Sequence, residues 1–590
     1  MPVSPSEIVI DLARDALLSE QAIESLTDRY MIAGETSPQQ AFARAAAAFA
    51  DDAAHAQRLY DYVSLGWFMF ATPLLSNGGT QRGLPISCFL NYVPDSREGI
   101  LAHYEENGWL ASMGGGIGGY WGDIRSVGTS TSHGSRTSGI IPFAKVADSQ
   151  MLAFNQGGTR RGSYAGYIDI NHPEIEEWLE IRKASGGDQN RKTLNLHHGV
   201  NLTDEFMIAV RDNLQFNLVD PHSGAIRKIV SARALFRKLV ETRHQTGEPY
   251  FFFIDTANRA LPKPLKDRGL RVRHSNLCTE ITLPVSEDRT AVCCLSSVNL
   301  AKWHEWKNAP LFIEDLMRML DNTLNDFIER APEPLRRAVH SALQERSVGL
   351  GALGWHSFLQ QEMVPWESDL ARGLNLMIFE HIERLADAAS EKLAEERGAA
   401  PDMKPLKKRF AHKTAIAPNA SSSVFVGASA SIEPINTNAY LHKTLSGSHP
   451  VKNRQLEKLL REIGQDTKEV WSSIIAAGGS VQHLDFLTDK QKAVFKTARE
   501  IDQSWVVRHA ADRQKFIDQA QSVNLFYPAE VEAEEIVSHH FQAWEQGLKS
   551  LYYLRATSAR KAENTNSKVE RRVVTAPVEA TTEECVACEG

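Results

Sequence analysis

The chain has 590 residues, 42% of them hydrophobic, and 65 lysines and arginines against 73 aspartates and glutamates give a formal net charge of −8. These values are typical of a large globular enzyme or of two ordinary domains, and they exclude disorder or collagen-like repetition as the dominant state. The acidic balance argues against a general DNA- or RNA-binding protein, which usually carries a basic domain. Because no segment has the pattern of a signal peptide and no apolar run approaches the length of a membrane span, we expect a cytoplasmic protein that does not enter a membrane.

The first 70 residues are rich in alanine, leucine and glutamate, and their apolar residues recur every three to four positions. This period predicts amphipathic helices. The stretch 34–38, which contains glycine, serine and proline, interrupts the pattern and predicts a turn. We therefore predict a helical N-terminal region over residues 1–70.

The chain from residue 71 to residue 555 predicts an α/β domain. Glycine, serine and threonine are frequent up to about residue 199, and short strand-like runs such as 86–93 and 164–170 separate the loops. Helical stretches then alternate with short apolar runs such as 250–254, and a long helical block spans 370–397. This alternation favours an α/β architecture.

The last part of the chain, 556–590, is polar and charged without an apolar period, which predicts a flexible tail. Cys585 and Cys588 stand almost at its end with two residues between them. One interpretation is half of a zinc site, but structural zinc takes four ligands and the tail contains no other cysteine or histidine. We favour a mobile redox pair, because this spacing lowers the pKa of a thiol and closes a disulfide readily.

The remaining cysteines are Cys88, Cys278, Cys293 and Cys294. A buried, inert thiol is the ordinary interpretation of a lone cysteine. The neighbours of Cys278 indicate a chemical role instead, because an amide, a thiol and a carboxylate alternate at Asn276, Cys278 and Glu280. In an extended segment all three side chains would lie on one side, an arrangement suited to hydrogen-atom and proton transfer on a polyol.

Further motifs follow in a fixed order along the chain. They are Ala71-Thr72-Pro73, Cys88, Gly116-Ile117-Gly118, the segment 275–280, Cys293-Cys294-Leu295-Ser296, the region of Gly349, Tyr552-Tyr553 and the terminal cysteine pair. By these motifs the chain resembles the large, catalytic subunit of class I ribonucleotide reductases over about residues 60–590. The resemblance implies a ten-stranded α/β barrel with a central finger loop, preceded by the helical region and followed by the redox tail.

The resemblance also implies an activity, the reduction of ribonucleoside diphosphates to 2′-deoxyribonucleoside diphosphates. Cys278 would carry a transient thiyl radical and abstract the 3′ hydrogen, Glu280 would take the proton of the 3′-hydroxyl as a general base, and Asn276 would bind the ribose hydroxyls. Cys88 and Cys293 would supply two electrons and end as a disulfide.

Cys293 and Cys294 compete for this last role. The alignment of the following Leu295 and Ser296 favours Cys293, and only one of two successive strand residues should face the site. Cys585 and Cys588 would then reduce the disulfide by thiol exchange and would themselves be reduced by an external dithiol protein of the thioredoxin or glutaredoxin type.

Tyr552 and Tyr553 precede the tail, and an adjacent aromatic pair usually only helps to bury a strand. The resemblance implies a radical relay from Tyr553 to Tyr552 and on to Cys278. It also implies a homodimer and a separate ferritin-like small subunit that contains the metal and generates the radical. This chain itself would bind no metal or other resident cofactor.

Nucleotide sites are implied as well. Serines and backbone amides at the start of a helix at 418–423 could bind an anion, although an ordinary helix cap is the simpler interpretation. By the resemblance, substrate is bound by Thr72, Ser87, Gly115, Gly116, Ser421 and Ser422. A nucleoside triphosphate effector at the dimer interface would be bound by Asp95, Arg125, Gln156 and Arg160, although surface charge is the simpler interpretation of Asp95 and Arg125.

Many relatives carry an ATP-cone before the barrel, and only 87 residues precede Cys88 here. We expect a short form without the cone, not switched off by dATP. Three alternatives stay open: an adenosylcobalamin-dependent reductase, a catalytically silent nucleotide-binding relative, and a thiol-disulfide oxidoreductase built around the tail cysteines.

Overall fold

The computed structural model describes residues 3–86, 88–154, 162–444 and 447–556. Helices and strands alternate along most of this length. The strands are β1 (Phe68–Phe70), β2 (Cys88–Tyr92), β3 (Gly116–Tyr120), β4 (Ser163–Asp169), β5 (His197–Leu202), β6 (Gln215–Val219), β7 (Ile226–Ser231), β8 (Tyr250–Phe253), β9 (Ala291–Asn299), β10 (Val348–Leu353), β11 (Ala439–Thr444), β12 (Gly447–Lys452), β13 (Leu525–Tyr527), β14 (Ser550–Leu551) and β15 (Leu554–Ala556).

The α-helices surround the main sheet and extend beyond it. They are α1 (Glu20–Arg29), α2 (Pro38–Ala48), α3 (Ala53–Ser64), α4 (Thr72–Asn77), α5 (Arg97–Ser112), α6 (Ile141–Ala153), α7 (Ile175–Trp178), α8 (Asp204–Arg211), α9 (Ala232–Thr246), α10 (Ile254–Ala260), α11 (Lys263–Asp267), α12 (Trp303–Trp306), α13 (Phe312–Arg330), α14 (Arg336–Glu345), α15 (Trp355–Gln361), α16 (Asp369–Arg397), α17 (Ala420–Val426), α18 (Arg454–Glu462), α19 (Lys468–Ala476), α20 (Asp489–Val494), α21 (Gln503–Gln514) and α22 (Ala533–Glu545).

The N-terminal region is helical, as the sequence predicts. Helices α1, α2 and α3 each begin behind a residue whose side chain accepts a hydrogen bond from the first turn, namely Ser19, Ser37 and Asp52. Gly34 has a φ of 98° between α1 and α2, a conformation that glycine adopts without strain. The boundary at residue 70 stays a prediction, because elements on both sides of it pack together.

The centre of the fold is a sheet that closes on itself. Strands β2, β3, β4, β5 and β8 are neighbours in this order and run parallel, forming one half of a barrel. The second half begins with β9, which is antiparallel to β2 and parallel to β10. At the other edge, β14 pairs antiparallel with β8.

Two extended segments fill the gap between β10 and β14. Thr414 pairs with Leu350 of β10, and Gln521 pairs with Ile416 through a further parallel bridge. The backbone amide of Tyr552, which follows β14, donates to the carbonyl of Val523 at 2.8 Å. The ring therefore has ten extended segments, which confirms the predicted α/β barrel, although single bridges rather than ladders hold two of them.

The strands of the barrel are buried on both faces, as expected of parallel strands covered by helices. The predicted strand-like runs 86–93, 164–170 and 250–254 contain or overlap β2, β4 and β8, and the helical block 370–397 is α16. In the part of the chain that the structure describes, no helix has the length and apolar character needed to span a membrane.

Candidate active site

A finger loop, residues 274–282, crosses the interior of the barrel and is held by both halves. On the side of β3 and β4, the ring of His274 is hydrogen-bonded to the Gly118 carbonyl at 3.0 Å, and the Tyr167 hydroxyl donates to the Asn276 carbonyl at 2.7 Å. On the opposite side, the Ala520 amide donates to the Glu280 carbonyl at 2.8 Å. The loop is therefore fixed from both sides and buried throughout.

The tip of the finger loop is a turn rather than the extended segment that the alternation at 275–280 predicts, and that prediction is wrong. The Thr279 amide donates to the Asn276 carbonyl at 3.4 Å, and Thr279 has a φ of 70°, in the left-handed region. A β-branched residue rarely adopts this conformation. The contacts of the neighbouring carbonyls impose it, since Ser522 Oγ donates to the Cys278 carbonyl at 2.6 Å.

Close approach of the finger loop to β3 requires glycine at position 118. A Cβ atom there would lie 2.3 Å from the Ser275 carbonyl oxygen and 2.9 Å from Asn276 Cα. We expect Gly118→Ala to push the loop away, to cost about 1–3 kcal/mol of stability and to reduce turnover by at least about tenfold. Thermal unfolding and turnover should be measured together.

The matched control for Gly118→Ala is Gly373→Ala, in α16. A Cβ atom at Gly373 would meet no atom within 4 Å, and alanine is favoured in a helix. This variant should keep wild-type turnover and melt at the same or a higher temperature. Wild-type turnover and stability in Gly118→Ala would contradict the prediction.

Cys88 and Cys293 are directly opposite each other in the antiparallel pairing of β2 with β9. Opposed residues of antiparallel strands have Cα atoms roughly 4.5–5.5 Å apart, within the range that a disulfide spans. Asn276 Nδ2 lies 3.9 Å from the sulfur of Cys88, so the finger loop reaches this pair. On the other flank of β2, Gly116 of β3 is the register partner of Cys88. The two cysteines are thus placed to exchange electrons beside the loop tip.

Cys294 faces away from this pair. It is the register partner of Val348, and its thiol lies beside Thr323 of α13, a helix that packs against β9. Cys293 instead contacts Gln519 inside the barrel, where burial raises the pKa of its thiol well above the usual value. This orientation agrees with choosing Cys293 over Cys294, and the role itself stays a prediction.

Tyr552 and Tyr553 extend the site from β14. Their ring centroids are 4.3 Å apart, and the ring of Tyr250 lies 4.9 Å from Tyr552 and 5.1 Å from Tyr553. Tyr552 shares one buried hydrophobic cluster with Cys278, whereas Tyr553 is packed against the edge of that cluster. The Tyr553 hydroxyl lies 3.3 Å from Nδ1 of His197. The aromatic rings form a continuous path that begins near the surface and ends among the neighbours of Cys278.

A buried charged cluster that the sequence does not predict lies beside this path. Glu248 contacts His197 at 2.5 Å, His198 at 2.9 Å and Arg182 at 3.5 Å. Burial alone would raise the pKa of Glu248, but the positive charge of Arg182 and the hydrogen bonds from both histidines hold it well below its usual value. The parallel pairing of β5 with β8 brings Glu248, which precedes β8, beside His197 and His198 of β5, and no short motif could have revealed it.

Two elements that carry predicted substrate-binding residues lie near each other, namely α4 with Thr72 and α17 with Ser421 and Ser422. Tyr30 lies between α4 and α17. Its hydroxyl contacts Thr72 of α4 at 3.0 Å, and its ring packs against Phe425 of α17. Asn419, which precedes α17, has a φ of 58° and makes no capping hydrogen bond to the helix. Its side-chain oxygen instead accepts from Ser297 Oγ at 3.0 Å. The start of α17, with Ser421 and Ser422, therefore carries no ordinary side-chain cap.

Asp95 and Arg125 form an ion pair at 2.9 Å, and His222 lies 3.1 Å from the same carboxylate. Gly115 is confined, since a Cβ atom there would lie 2.9 Å from the Leu110 carbonyl oxygen. The remaining predicted residues, Ser87, Gln156, Arg160, Cys585 and Cys588, lie outside the described residues.

Comparison with known proteins agrees with this architecture. The family model described as the barrel domain of ribonucleotide reductase matches residues 86–409 and 406–554, and that for the family's all-alpha domain matches 16–83. The chain is 47% identical over 541 residues to a protein of Frog virus 3, covering 91% of this chain and 92% of the viral one. It is 42% identical over 642 residues to the ribonucleoside-diphosphate reductase large subunit of Invertebrate iridescent virus 3, covering 99% of this chain and 100% of that one.

A solved structure is also similar. The alpha subunit of a class Id ribonucleotide reductase from Actinobacillus ureae superposes with a TM-score of 0.81 and 36% identity, covering 93% of this chain and 99% of the other. The chain therefore belongs to the ribonucleotide reductase family. The prediction of a ribonucleoside-diphosphate reductase of the large-subunit type is confirmed.

Proposed function

We propose that this chain reduces ribonucleoside diphosphates to 2′-deoxyribonucleoside diphosphates through a thiyl radical on Cys278, and that a separate small subunit supplies the radical. The observation that carries the proposal is the finger loop. Its buried turn holds Cys278 and Glu280 inside the barrel, and Asn276 of the same loop reaches Cys88, the register partner of Cys293.

The first half of the reaction takes place at C3′ of the ribose. The Cys278 thiyl takes the 3′ hydrogen atom, becomes a thiol and leaves a carbon radical on the sugar. Glu280 takes the proton of the 3′-hydroxyl, and Ser522 Oγ lies 3.2 Å from its carboxylate. Asn276 holds the ribose hydroxyls. Because the loop tip is buried, a radical there is protected from side reactions.

The second half removes the 2′ oxygen. The 2′-hydroxyl leaves as water, Cys88 and Cys293 provide two electrons and two protons, and their sulfurs join as a disulfide. Cys278 then returns its hydrogen atom to C3′ and is again a thiyl. Cys585 and Cys588 reduce the disulfide by thiol exchange and are reduced in turn by an external thioredoxin- or glutaredoxin-type dithiol protein.

The radical enters from the partner. A ferritin-like, metal-containing small subunit oxidises Tyr553, Tyr552 reduces Tyr553, and Cys278 reduces Tyr552. Support comes from the 4.3 Å separation of the two rings and from the cluster that Tyr552 shares with Cys278. The metal belongs to the partner chain, so this chain contributes only the route.

The nucleotide sites follow from the same proposal. Thr72, Ser87, Ser421 and Ser422 bind the diphosphate and sugar of the substrate, and Gly115 and Gly116 let it approach the backbone. In a homodimer, a nucleoside triphosphate effector binds near the pair Asp95 and Arg125, together with Gln156 and Arg160. Support comes from Tyr30, which contacts Thr72 and packs against α17, and from the ion pair.

The direct test is a turnover assay. The chain is mixed with the small subunit encoded by the same genome, each ribonucleoside diphosphate, a triphosphate effector and dithiothreitol, and deoxynucleotides are quantified by chromatography. We expect product only when the small subunit is present. Product formed with adenosylcobalamin and no small subunit would favour the alternative class of reductase, and no product in any mixture would reject both.

The choice between the adjacent cysteines is tested by a matched pair of variants. Cys293→Ser should lose at least about 100-fold in multiple-turnover rate, because the serine cannot form the disulfide. Cys294→Ser, which changes a buried cysteine one position away, should keep the rate within about threefold, because its side chain faces α13. Equal losses in the two variants would contradict the assignment.

A further inference from the structure

Gln519 is a fully buried glutamine whose side-chain amide lies against the sulfur of Cys293. It stands on the extended segment between α21 and β13, next to the finger loop. Its Nε2 donates to the Val348 carbonyl at 3.0 Å and lies 3.6 Å from Cys293 Sγ. Its Oε1 accepts from the Thr282 amide at 3.2 Å. Because Thr282 requires an acceptor and Val348 a donor, the amide cannot be turned round, and an N–H group faces the sulfur.

The strand order is β3, β2, β9, β10. A disulfide between Cys88 of β2 and Cys293 of β9 would therefore join two adjacent strands, with β3 beyond Cys88 and β10 beyond Cys293. Thiol exchange requires access to one sulfur, and the other sulfur leaves as a thiolate. Beyond Cys293 the space is occupied by the side chain of Gln519, whose Nε2 lies 3.6 Å from the sulfur, and the backbone of Gly349 is close, since an added Cβ atom would lie 3.2 Å from the same sulfur. Beyond Cys88 lies Gly116, which has no side chain, and Asn276 of the finger loop stands near the Cys88 sulfur with its Nδ2 at 3.9 Å.

The exposure of the two residues agrees with this asymmetry, since Cys88 is 6% exposed and Cys293 is 1% exposed. An incoming thiolate therefore reaches Cys88, and Cys293 is the leaving group. A thiolate at Cys293 is costly because the site is dry, and a hydrogen-bond donor directed at the sulfur offsets part of that cost.

We propose that Gln519 acts in the re-reduction of the Cys88–Cys293 disulfide, by donating a hydrogen bond to the Cys293 thiolate that leaves when a dithiol attacks Cys88. The inference rests on the proposed function, which makes these two cysteines a redox pair. The attacking thiolate forms a bond to the Cys88 sulfur, the bond between the two cysteines breaks, and its electron pair goes to Cys293.

The second thiol of the dithiol then attacks the mixed disulfide and releases Cys88 as a thiolate. Both thiolates take up protons, so the pair gains two electrons and two protons while the dithiol becomes a disulfide. Once protonated, the Cys293 thiol can donate to the Cys294 carbonyl, whose oxygen lies 3.9 Å from its sulfur.

The first measurement uses the wild-type chain and does not depend on any variant. After turnover with excess substrate and no added reductant, which also leaves Cys585 and Cys588 oxidised, peptide mapping should find Cys88 joined to Cys293. A monothiol added to this oxidised chain should then form its mixed disulfide on Cys88. A mixed disulfide on Cys293 would overturn the inference alone, whereas absence of the Cys88–Cys293 disulfide would count against the proposed function.

The second measurement compares two buried glutamines of the same segment. Gln519→Met should slow the reduction of the disulfide by dithiothreitol by about tenfold and raise the midpoint pH for alkylation of Cys293. Gln521→Met is the matched control, because the Gln521 amide group donates to the Ala510 carbonyl at 2.9 Å and to Gln514 Oε1 at 3.0 Å rather than facing the Cys293 sulfur. It should leave both quantities unchanged within about twofold. A wild-type rate in Gln519→Met, or an equal slowing in the control, would overturn the inference.

Discussion

Replacing Cys278 by serine is expected to abolish nucleotide reduction, with a loss of at least about 1,000-fold in turnover. A serine hydroxyl is close in shape, but its O–H bond is far harder to oxidise to a radical than the S–H bond of cysteine. The side chain is 2% exposed and the tip of the loop is held through backbone groups, so serine should fit without moving the loop. Turnover should be measured with the small subunit, and binding of a ribonucleoside diphosphate by calorimetry.

Binding should stay within about threefold of wild type, since Cys278 acts on the sugar rather than holding it. Cys294→Ser provides the control for a cysteine-to-serine change in the same barrel. Deoxynucleotide formation by Cys278→Ser at more than a few per cent of the wild-type rate would remove the basis of the proposed mechanism.

Tyr552→Phe is expected to reduce turnover by at least about 100-fold while leaving substrate binding unchanged. Phenylalanine keeps the ring that packs against Tyr553 at 4.3 Å and against Tyr250 at 4.9 Å. It lacks the phenol that is oxidised and loses a proton at an accessible potential. The expected result is therefore a stable, substrate-binding protein in which the radical does not reach Cys278.

Tyr250→Phe is the matched control for Tyr552→Phe. Tyr250 is equally buried and contacts both tyrosines of the pair, but it belongs to β8 and not to the proposed route. Its variant should keep at least about a third of the wild-type rate. If Tyr250→Phe lost as much activity as Tyr552→Phe, the result would indicate that the radical passes through Tyr250.

Features that depend on neighbouring residues in the chain could be predicted from the sequence. Asn276, Cys278 and Glu280 fall within five positions, so their grouping is evident from the sequence alone. The helices α1 to α3 are similarly predictable from their period and their caps. The conformation of the loop tip is not, because Thr279 adopts a positive φ only under the contacts that Ser522 and Ala520 make with its neighbours.

Features that depend on register between distant strands could not be predicted from the residues alone. The pairing of Cys88 with Cys293 follows from the alignment of β2 with β9, and a shift of one residue would point Cys294 inward instead. Gln519 and the cluster around Glu248 have no signature at all. A single glutamine or glutamate is ordinary in a sequence, and only the packing of separate strands gives it a chemical neighbour.

The position of Cys88 and Cys293 has a mechanical consequence. Strand β2 belongs to the first half of the barrel and β9 to the second, so a disulfide between these sulfurs would cross-link the two halves. Each catalytic cycle would then form and break a covalent bond between β2 and β9. The oxidised form, waiting for its reductant, would therefore resist unfolding more than the reduced form that is ready for the next nucleotide.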